Sequence, residues 1–166
     1  MKAGLNLYSI RQHVSTKEGF FQTCEKLKSL GYDYIQCSGM NLKAEEIKAV
    51  SDKTGLPIKL THSSFDRLVS DLDNLVKEHD IFDCSYMGIG SIDRAKIKSY
   101  EQAIEMAKAL ENIACKIKQK GKKFLYHNHN FEFTKYENGK NFYDILIENT
   151  QELGFITEGL RASLKA

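Results

Sequence analysis

Phe124-Leu125-Tyr126-His127-Asn128-His129-Asn130-Phe131-Glu132 is the stretch on which the fold turns. Its first part, Phe124–His127, reads as a short strand rich in aromatic residues, and the polar run after it reads as the loop at the strand's carboxyl end. Before it lies a helical pattern near Tyr100–Lys120, with Ala103, Ala107, Leu110, Ala114 and Ile117 at helical spacing and Gly121 to close it. After it comes a shorter helix through Phe142, Ile145, Leu146 and Asn149. This is one strand–helix unit, and it is not the only one.

The same unit repeats back to the amino terminus. Strands are expected at Ala3–Leu7, Tyr34–Cys37, Ile58–Thr61 and Cys84–Ile89, with a sixth beginning at Phe155–Thr157. The first helix carries Phe20, Cys24, Leu27 and Leu30; Ser15 and Glu18 are placed for a capping box, and Gly31 ends it. The second carries Ala44, Ile47 and Val50, stops at Gly55 and is barred from continuing by Pro57. The third carries Leu68, Leu72, Leu75 and Val76. Regular alternation of this kind predicts an α/β protein with a parallel sheet and right-handed crossovers. The absence of a linker-like segment predicts one domain over residues 1–166. Pattern alone leaves two architectures open, an open flavodoxin-like sheet and an incomplete (β/α)8 TIM barrel.

Composition narrows the function classes. Hydrophobic residues make up 42% of the 166 and aromatics 10%, enough buriable surface to exclude disorder as the main state. No run approaches the roughly 18 apolar residues of a bilayer helix, so no membrane partner is expected. The opening residues lack the apolar block of a signal peptide, and the expected location is cytoplasmic. A net charge of +2 arises from 24 basic and 22 acidic side chains, well mixed, which gives no broad field for nucleic acid. The one basic cluster, Lys116 to Lys123, sits at a helix end and reads as a solvated face complementing the helix dipole. Cys24, Cys37, Cys84 and Cys115 lie far apart and read as buried reduced thiols.

Both architectures place ligands at the carboxyl ends of their strands, and the polar residues gather there. Tyr8-Ser9-Ile10-Arg11-Gln12-His13 follows the first strand, Cys37-Ser38-Gly39 the second, His62-Ser63-Ser64 the third and Gly88-Ile89-Gly90-Ser91 the fourth. Four of the five histidines fall at these ends. The fifth, His79, lies in the last turn of the third helix, where a cation is favourable. His127 and His129 are two apart on an extended strand and point the same way at a spacing of about 6–7 Å. Two imidazoles can thus converge on one ion or one substrate, and Glu132 can add a carboxylate oxygen. The alternative is a pair of histidines at an exposed strand end, bonded to nearby carbonyls.

Other positions also carry two readings. His62 is either a contact to a substrate hydroxyl or a structural residue. Arg11 either holds an anionic or hydroxylated substrate or pairs with an acidic helix residue. His13 reads as exposed loop, and Cys37 as a buried thiol rather than a nucleophile. Gly88-Ile89-Gly90 suits a close backbone approach or a small phosphate nest, but is not a dinucleotide fingerprint. Lys59 and Glu158 are further acid/base candidates.

Three motifs together carry a resemblance: Gly4-Leu5-Asn6-Leu7-Tyr8-Ser9-Ile10-Arg11, Leu30-Gly31-Tyr32, and Tyr126-His127-Asn128-His129-Asn130-Phe131-Glu132-Phe133. In this order they resemble the sugar phosphate isomerase/epimerase family of xylose-isomerase-like TIM barrels, which favours the barrel. The resemblance implies a site at the carboxyl ends of the strands, a sugar or sugar phosphate as substrate, and a divalent cation (Mn²⁺, Mg²⁺, Co²⁺ or Zn²⁺). It implies proton transfer next to a carbonyl through an enediolate, the cation polarising the oxygens. On this reading Arg11, His62 and His127 contact substrate, His129 and Glu132 bind metal, and Glu132 and Glu158 move the proton. Relatives place a metal-binding glutamate in the fifth-strand region, where this chain has histidines on the strand and Glu132 further on.

The family continues through sixth, seventh and eighth strands that supply an aspartate, a histidine and a second glutamate. Here the sixth reads Leu153-Gly154-Phe155-Ile156-Thr157-Glu158, with Glu158 about where the aspartate would fall. The expectation is a barrel cut after five and a half units, with unpaired edges through which copies associate or a sheet that flattens. Two functions follow: a metal-dependent isomerase or epimerase completed by a second copy or fragment, or a non-catalytic remnant with at most weak sugar binding. A related apurinic-endonuclease activity would want a basic DNA-facing surface and a multi-metal cluster, neither of which the sequence displays.

Overall fold

A computed structural model of the chain describes residues 2–156. Strands β1 (Gly4–Asn6), β2 (Tyr34–Ser38), β3 (Ile58–Ser63), β4 (Tyr86–Ile89), β5 (Lys123–His127) and β6 (Gly154–Ile156) form one sheet. Their order is the order of the chain, and every pairing is parallel. Sequential order excludes the flavodoxin-like alternative, in which the first two strands exchange places. The sheet curls into a half-barrel with its helices on the outside, an incomplete TIM barrel.

Alternation along the strands explains the two faces. Ile35, Cys37, Ile58, Met87, Ile89, Phe124 and Tyr126 are buried under the helices. Gln36, Leu60, His62, Leu125 and His127 lie on the other, concave face and are half-buried; in β3 a register irregularity opposite Ile35 and Gln36 sets Leu60 and His62 on the face opposite to Ile58. Outside, helices α1 (Lys17–Ser29) and α2 (Ala44–Thr54) cover β1 to β3. Helix α5 (Tyr100–Gln119) buries seven apolar residues, Leu110 and Ile117 completely, against the second half of the sheet with α6 (Phe142–Asn149). Each such Leu or Ile contributes about 1.5–3 kcal/mol by burial. No helix among the described residues is long and apolar enough to cross a membrane.

Several local expectations need correction. Helix α1 is capped one residue later than predicted, by Thr16, whose hydroxyl accepts from the Gly19 amide. The third helical pattern is two helices, α3 (Phe65–Ser70) and α4 (Leu72–Ile81), because the chain leaves helical geometry at Asp71 (φ −139°, ψ 31°). Arg67 braces that break, pairing with Asp71 and with Glu78. Lys118, Lys120 and Lys122 of the basic cluster pair with Glu152, Asp73 and Asp80. Cys24, Cys37 and Cys84 are buried free thiols, whereas Cys115 is only half-buried.

His79 is the largest local correction. It does lie in the last turn of its helix, but it is 1% exposed and is no surface cation. Its Nδ1 is 2.6 Å from the Leu75 carbonyl, which can only accept, so Nδ1 carries a proton. Nε2, 2.7 Å from Thr61 Oγ1, then accepts from that hydroxyl in the neutral ring. Burial lowers the pKa of His79 and favours this neutral form. Thr61→Val leaves Nε2 without its donor, and chemical denaturation is expected to show a loss of about 1–3 kcal/mol; an unchanged midpoint would show the bond to be idle.

Candidate functional site

The concave face at the carboxyl ends of β2, β3 and β5 brings three histidines together. His62 is the last residue but one of β3 and His127 ends β5, yet β4 runs between them. Two strand spacings of about 4.8 Å separate β3 from β5, too far for rings that stand straight up. The ring centroids are nevertheless 5.3 Å apart. Glycine makes this possible. Gly88 is paired in register with both His62 and Leu125, so Gly90 falls level with His127. A Cβ at Gly88 would sit 2.8 Å from His62 Cδ2 and from the Thr61 carbonyl; one at Gly90 would sit 2.9 Å from His62 Nδ1. The imidazole of His62 leans into the space those side chains would occupy.

This is the close approach that Gly88-Ile89-Gly90 suggested, made by a side chain rather than by a phosphate. Both glycines lie outside the left-handed backbone region, so the segment does not form an anion nest. Gln36, on the same face of β2, was not singled out by the sequence reading. Its amide nitrogen is 3.0 Å from His62 Nε2 and 3.3 Å from Nδ1, and donates to the unprotonated ring nitrogen. The available signal was its parity with Ser38 along the strand. Burial, with smaller contributions from His127 and His129, lowers the pKa of His62 to about 4. At neutral pH the ring is uncharged, offering one donor and one acceptor.

His129 extends the cluster, its ring edge-on to His127 at 4.8 Å and stacked on Phe131 at 5.6 Å. Beneath it Glu132 is fully buried. Glu132 accepts from the Tyr126 hydroxyl and from the His129 backbone amide, each at 2.8 Å. Burial and the neighbouring carboxylate raise the pKa of the Tyr126 phenol, which keeps its proton for that bond. The His129 Nδ1 lies 3.6 Å from Glu132 Oε1. The carboxylate thus ties the loop after β5 to the strand and sets the turn that presents His129.

Arg11 lies apart from this cluster in a 3-10 segment, Leu7–His13, exposed, donating to the Tyr8 carbonyl and stacked over the Tyr8 ring at 4.5 Å. It makes no ion pair among the described residues. His13 is exposed beside it, and Lys59 is exposed on β3. Cys37 is buried among apolar residues, and burial raises its pKa, which makes the thiol inert. Glu158 lies outside the described residues. Among the described residues no three His, Cys, Asp or Glu side chains form a group fit to hold a metal ion. His129 and Glu132, the two residues expected to bind metal, are fewer than the four or more ligands a divalent cation takes, so by themselves they do not complete such a site.

Neither a scan against protein-family models nor a search of curated proteins finds a match. Solved structures do match. A sugar phosphate isomerase/epimerase from Parabacteroides distasonis superposes with a TM-score of 0.76 at 20% identity, over 93% of this chain and 64% of its own. The fold is that of a xylose isomerase-like TIM barrel. A protein described by that name from Mycobacterium smegmatis, solved with magnesium, gives 0.67 at 11% identity, over 94% and 63%. A D-psicose 3-epimerase from Clostridium cellulolyticum, solved with D-tagatose, gives 0.61 at 16%, over 98% and 68%. The chain spans less than two thirds of the length of the first two of these structures.

The packing of His62 has two measurable consequences. Gly88→Ala, which meets a backbone carbonyl, is expected to lose about 1–3 kcal/mol to overpacking, while Gly90→Ala should displace the His62 ring and move its imidazole NMR signals in a folded protein. A folded His62 pKa below the unfolded value near 6.5 means that the unfolded chain binds more protons. Stability is therefore full above about pH 6.5 and falls as pH drops toward about 4. His62→Gln should flatten part of that slope in denaturation curves; an identical slope would place the titration elsewhere.

Proposed function

We propose that this half-barrel carries the carbohydrate site of a sugar isomerase or epimerase, and that its chemistry is proton transfer next to a carbonyl. The observation that carries the reading is the meeting of His62, His127 and His129 on the concave face at the strands' carboxyl ends, within the ring contacts given above. Gln36 and neutral His62 offer donors and acceptors to vicinal hydroxyls, and His127 lies beside them. Phe131 and the ring of His129 provide an apolar wall of the kind that covers a sugar's C–H face. His127 or His129 would move the proton, and Glu132 acts by holding His129. In this reading Arg11 stands at the rim as an outer substrate contact, and Glu158 is a second acid/base candidate. A divalent cation would draw the rest of its ligands from outside the described residues.

The same half-barrel also supports self-association. Among the described strands β1 and β6 each have one neighbour, and Leu60, Leu125 and Ile156 on the concave face are only half-buried. Copies of the chain pair through these edges in our reading. Light scattering on a size-exclusion column should then return a multiple of 18.9 kDa; a dilute monomer would count against the pairing.

Carbohydrate binding and chemistry separate in one experiment. Titration of the full chain with ketohexoses should move the imidazole signals of His62 and His129, and His62→Gln should weaken binding about tenfold, the worth of one hydrogen bond. In D₂O, the proton next to the ketose carbonyl should exchange when the chain is present. Binding without exchange would reduce the proposal to a sugar-binding remnant. The absence of both binding and exchange would falsify it.

A further inference from the structure

Among the described residues Glu132 is the one buried carboxylate, at 0% exposure. Taking such a group out of water is costly, and a tie between strand and loop does not by itself require a charge. Its hydrogen bonds come from two donors, the Tyr126 hydroxyl on Oε1 and the His129 amide on Oε2. A third group faces the same carboxylate. His129 Nδ1 lies 3.6 Å from Oε1, within ion-pair reach though beyond hydrogen-bond length.

Neighbouring rings hold the plane of the His129 imidazole: Phe131 stacks on it at an angle of 15°, and His127 meets it edge-on at 86°. What electrostatics then decides is which ring nitrogen carries the proton. An unprotonated Nδ1 would set its lone pair against carboxylate oxygens that offer only lone pairs. Beside a carboxylate shielded from water that arrangement is repulsive, whereas an N–H there is attracted. The neutral ring therefore carries its proton on Nδ1 and keeps the Nε2 lone pair available. The side chain is 39% exposed, which leaves room for a ligand to reach it.

We propose that His129, through Nε2, is the base that moves the proton, and that Glu132 and Tyr126 are positioning residues that set its tautomer. The base role rests on the carbohydrate reading above; the tautomer stands on the geometry alone. Nε2 takes the proton from the carbon next to the carbonyl. The C–H electron pair becomes the C=C bond of an enediolate, and the carbonyl oxygen takes the negative charge. The imidazolium so formed faces Glu132 across the same 3.6 Å, so its charge is offset where it arises. Return of the proton from Nε2 to carbon restores the neutral ring and the carbonyl. Tyr126 acts at one remove, by holding Oε1 in place with its hydroxyl. His62, its pKa lowered to about 4 by burial, is a weak base and remains a hydroxyl contact.

The tautomer is read without a variant. In the full chain with a chelator present, at about pH 8, above the ordinary imidazole range, the ring ¹⁵N shifts of His129 should show a protonated Nδ1 and a free Nε2. The reverse pattern overturns the assignment. Glu132→Gln keeps the shape and can turn an amide N–H toward Nδ1, so the proton should move to Nε2. Exchange of the ketose proton in D₂O should then fall at least about a hundredfold, the scale of general-base catalysis, while the sugar still binds. Tyr126→Phe should lower exchange about tenfold, the worth of one hydrogen bond, again with binding kept. A Glu132→Gln chain that keeps the wild-type tautomer or the wild-type rate overturns the role of Glu132, as does loss of binding and exchange together. Should that variant not fold, full exchange by Tyr126→Phe overturns the positioning pair. A wild-type chain that exchanges nothing counts against the carbohydrate reading and the base role with it, and the ring shifts alone then decide the tautomer.

Discussion

A missing side chain at each of two positions, Gly88 on β4 and Gly90 just after it, holds the candidate site together. Parallel strands fix the distance between β3 and β5, and an imidazole is too short to cross the strand between them if that strand carries side chains. Gly88 and Gly90 remove the obstruction, and His62 fills the groove they leave. Its ring then touches His127, accepts from Gln36 and loses most contact with water. The lowered pKa of His62 follows from the same packing. Geometry and protonation state at this site thus share one cause.

A second constraint works through the backbone. A buried carboxylate needs partners, and Glu132 finds them in a strand hydroxyl and a loop amide. That pair of bonds converts the segment after β5 from a free loop into a defined turn. His129 and Phe131 are presented by it, and Phe131 orders Arg94 through its ring face. Effects of this kind spread along a chain of contacts, so the loops after β4 and β5 behave as one unit.

The half-barrel form shapes what the site can do. In a closed barrel, side chains from the far strands fill the interior. Here the concave face stays half-open, with polar residues toward the carboxyl ends and Leu60 and Leu125 below them. The solved structures of the same fold span a longer chain than this one.

Much of this was readable from residues alone. Helical spacing, glycine stops and Pro57 determine the strand–helix alternation, because local steric preference and amphipathic burial act within a few residues. The placing of His62, His127 and His129 at strand ends was legible for the same reason, whereas His13 lies exposed at the far end of the 3-10 segment after β1. Two of the other local readings failed: Asp71 breaks a helix that the apolar stripe would have continued, and the distant Thr61 turns His79 from a surface cation into a buried neutral ring. The sequence by itself determined the repeating units and the polar rim. Only the tertiary structure decided strand order, the lean of His62 toward β5, the part played by Gln36 and the bond from Tyr136 to Ile97 that joins the loops after β4 and β5. Those depend on contacts between residues far apart along the chain, and periodicity has no term for such contacts.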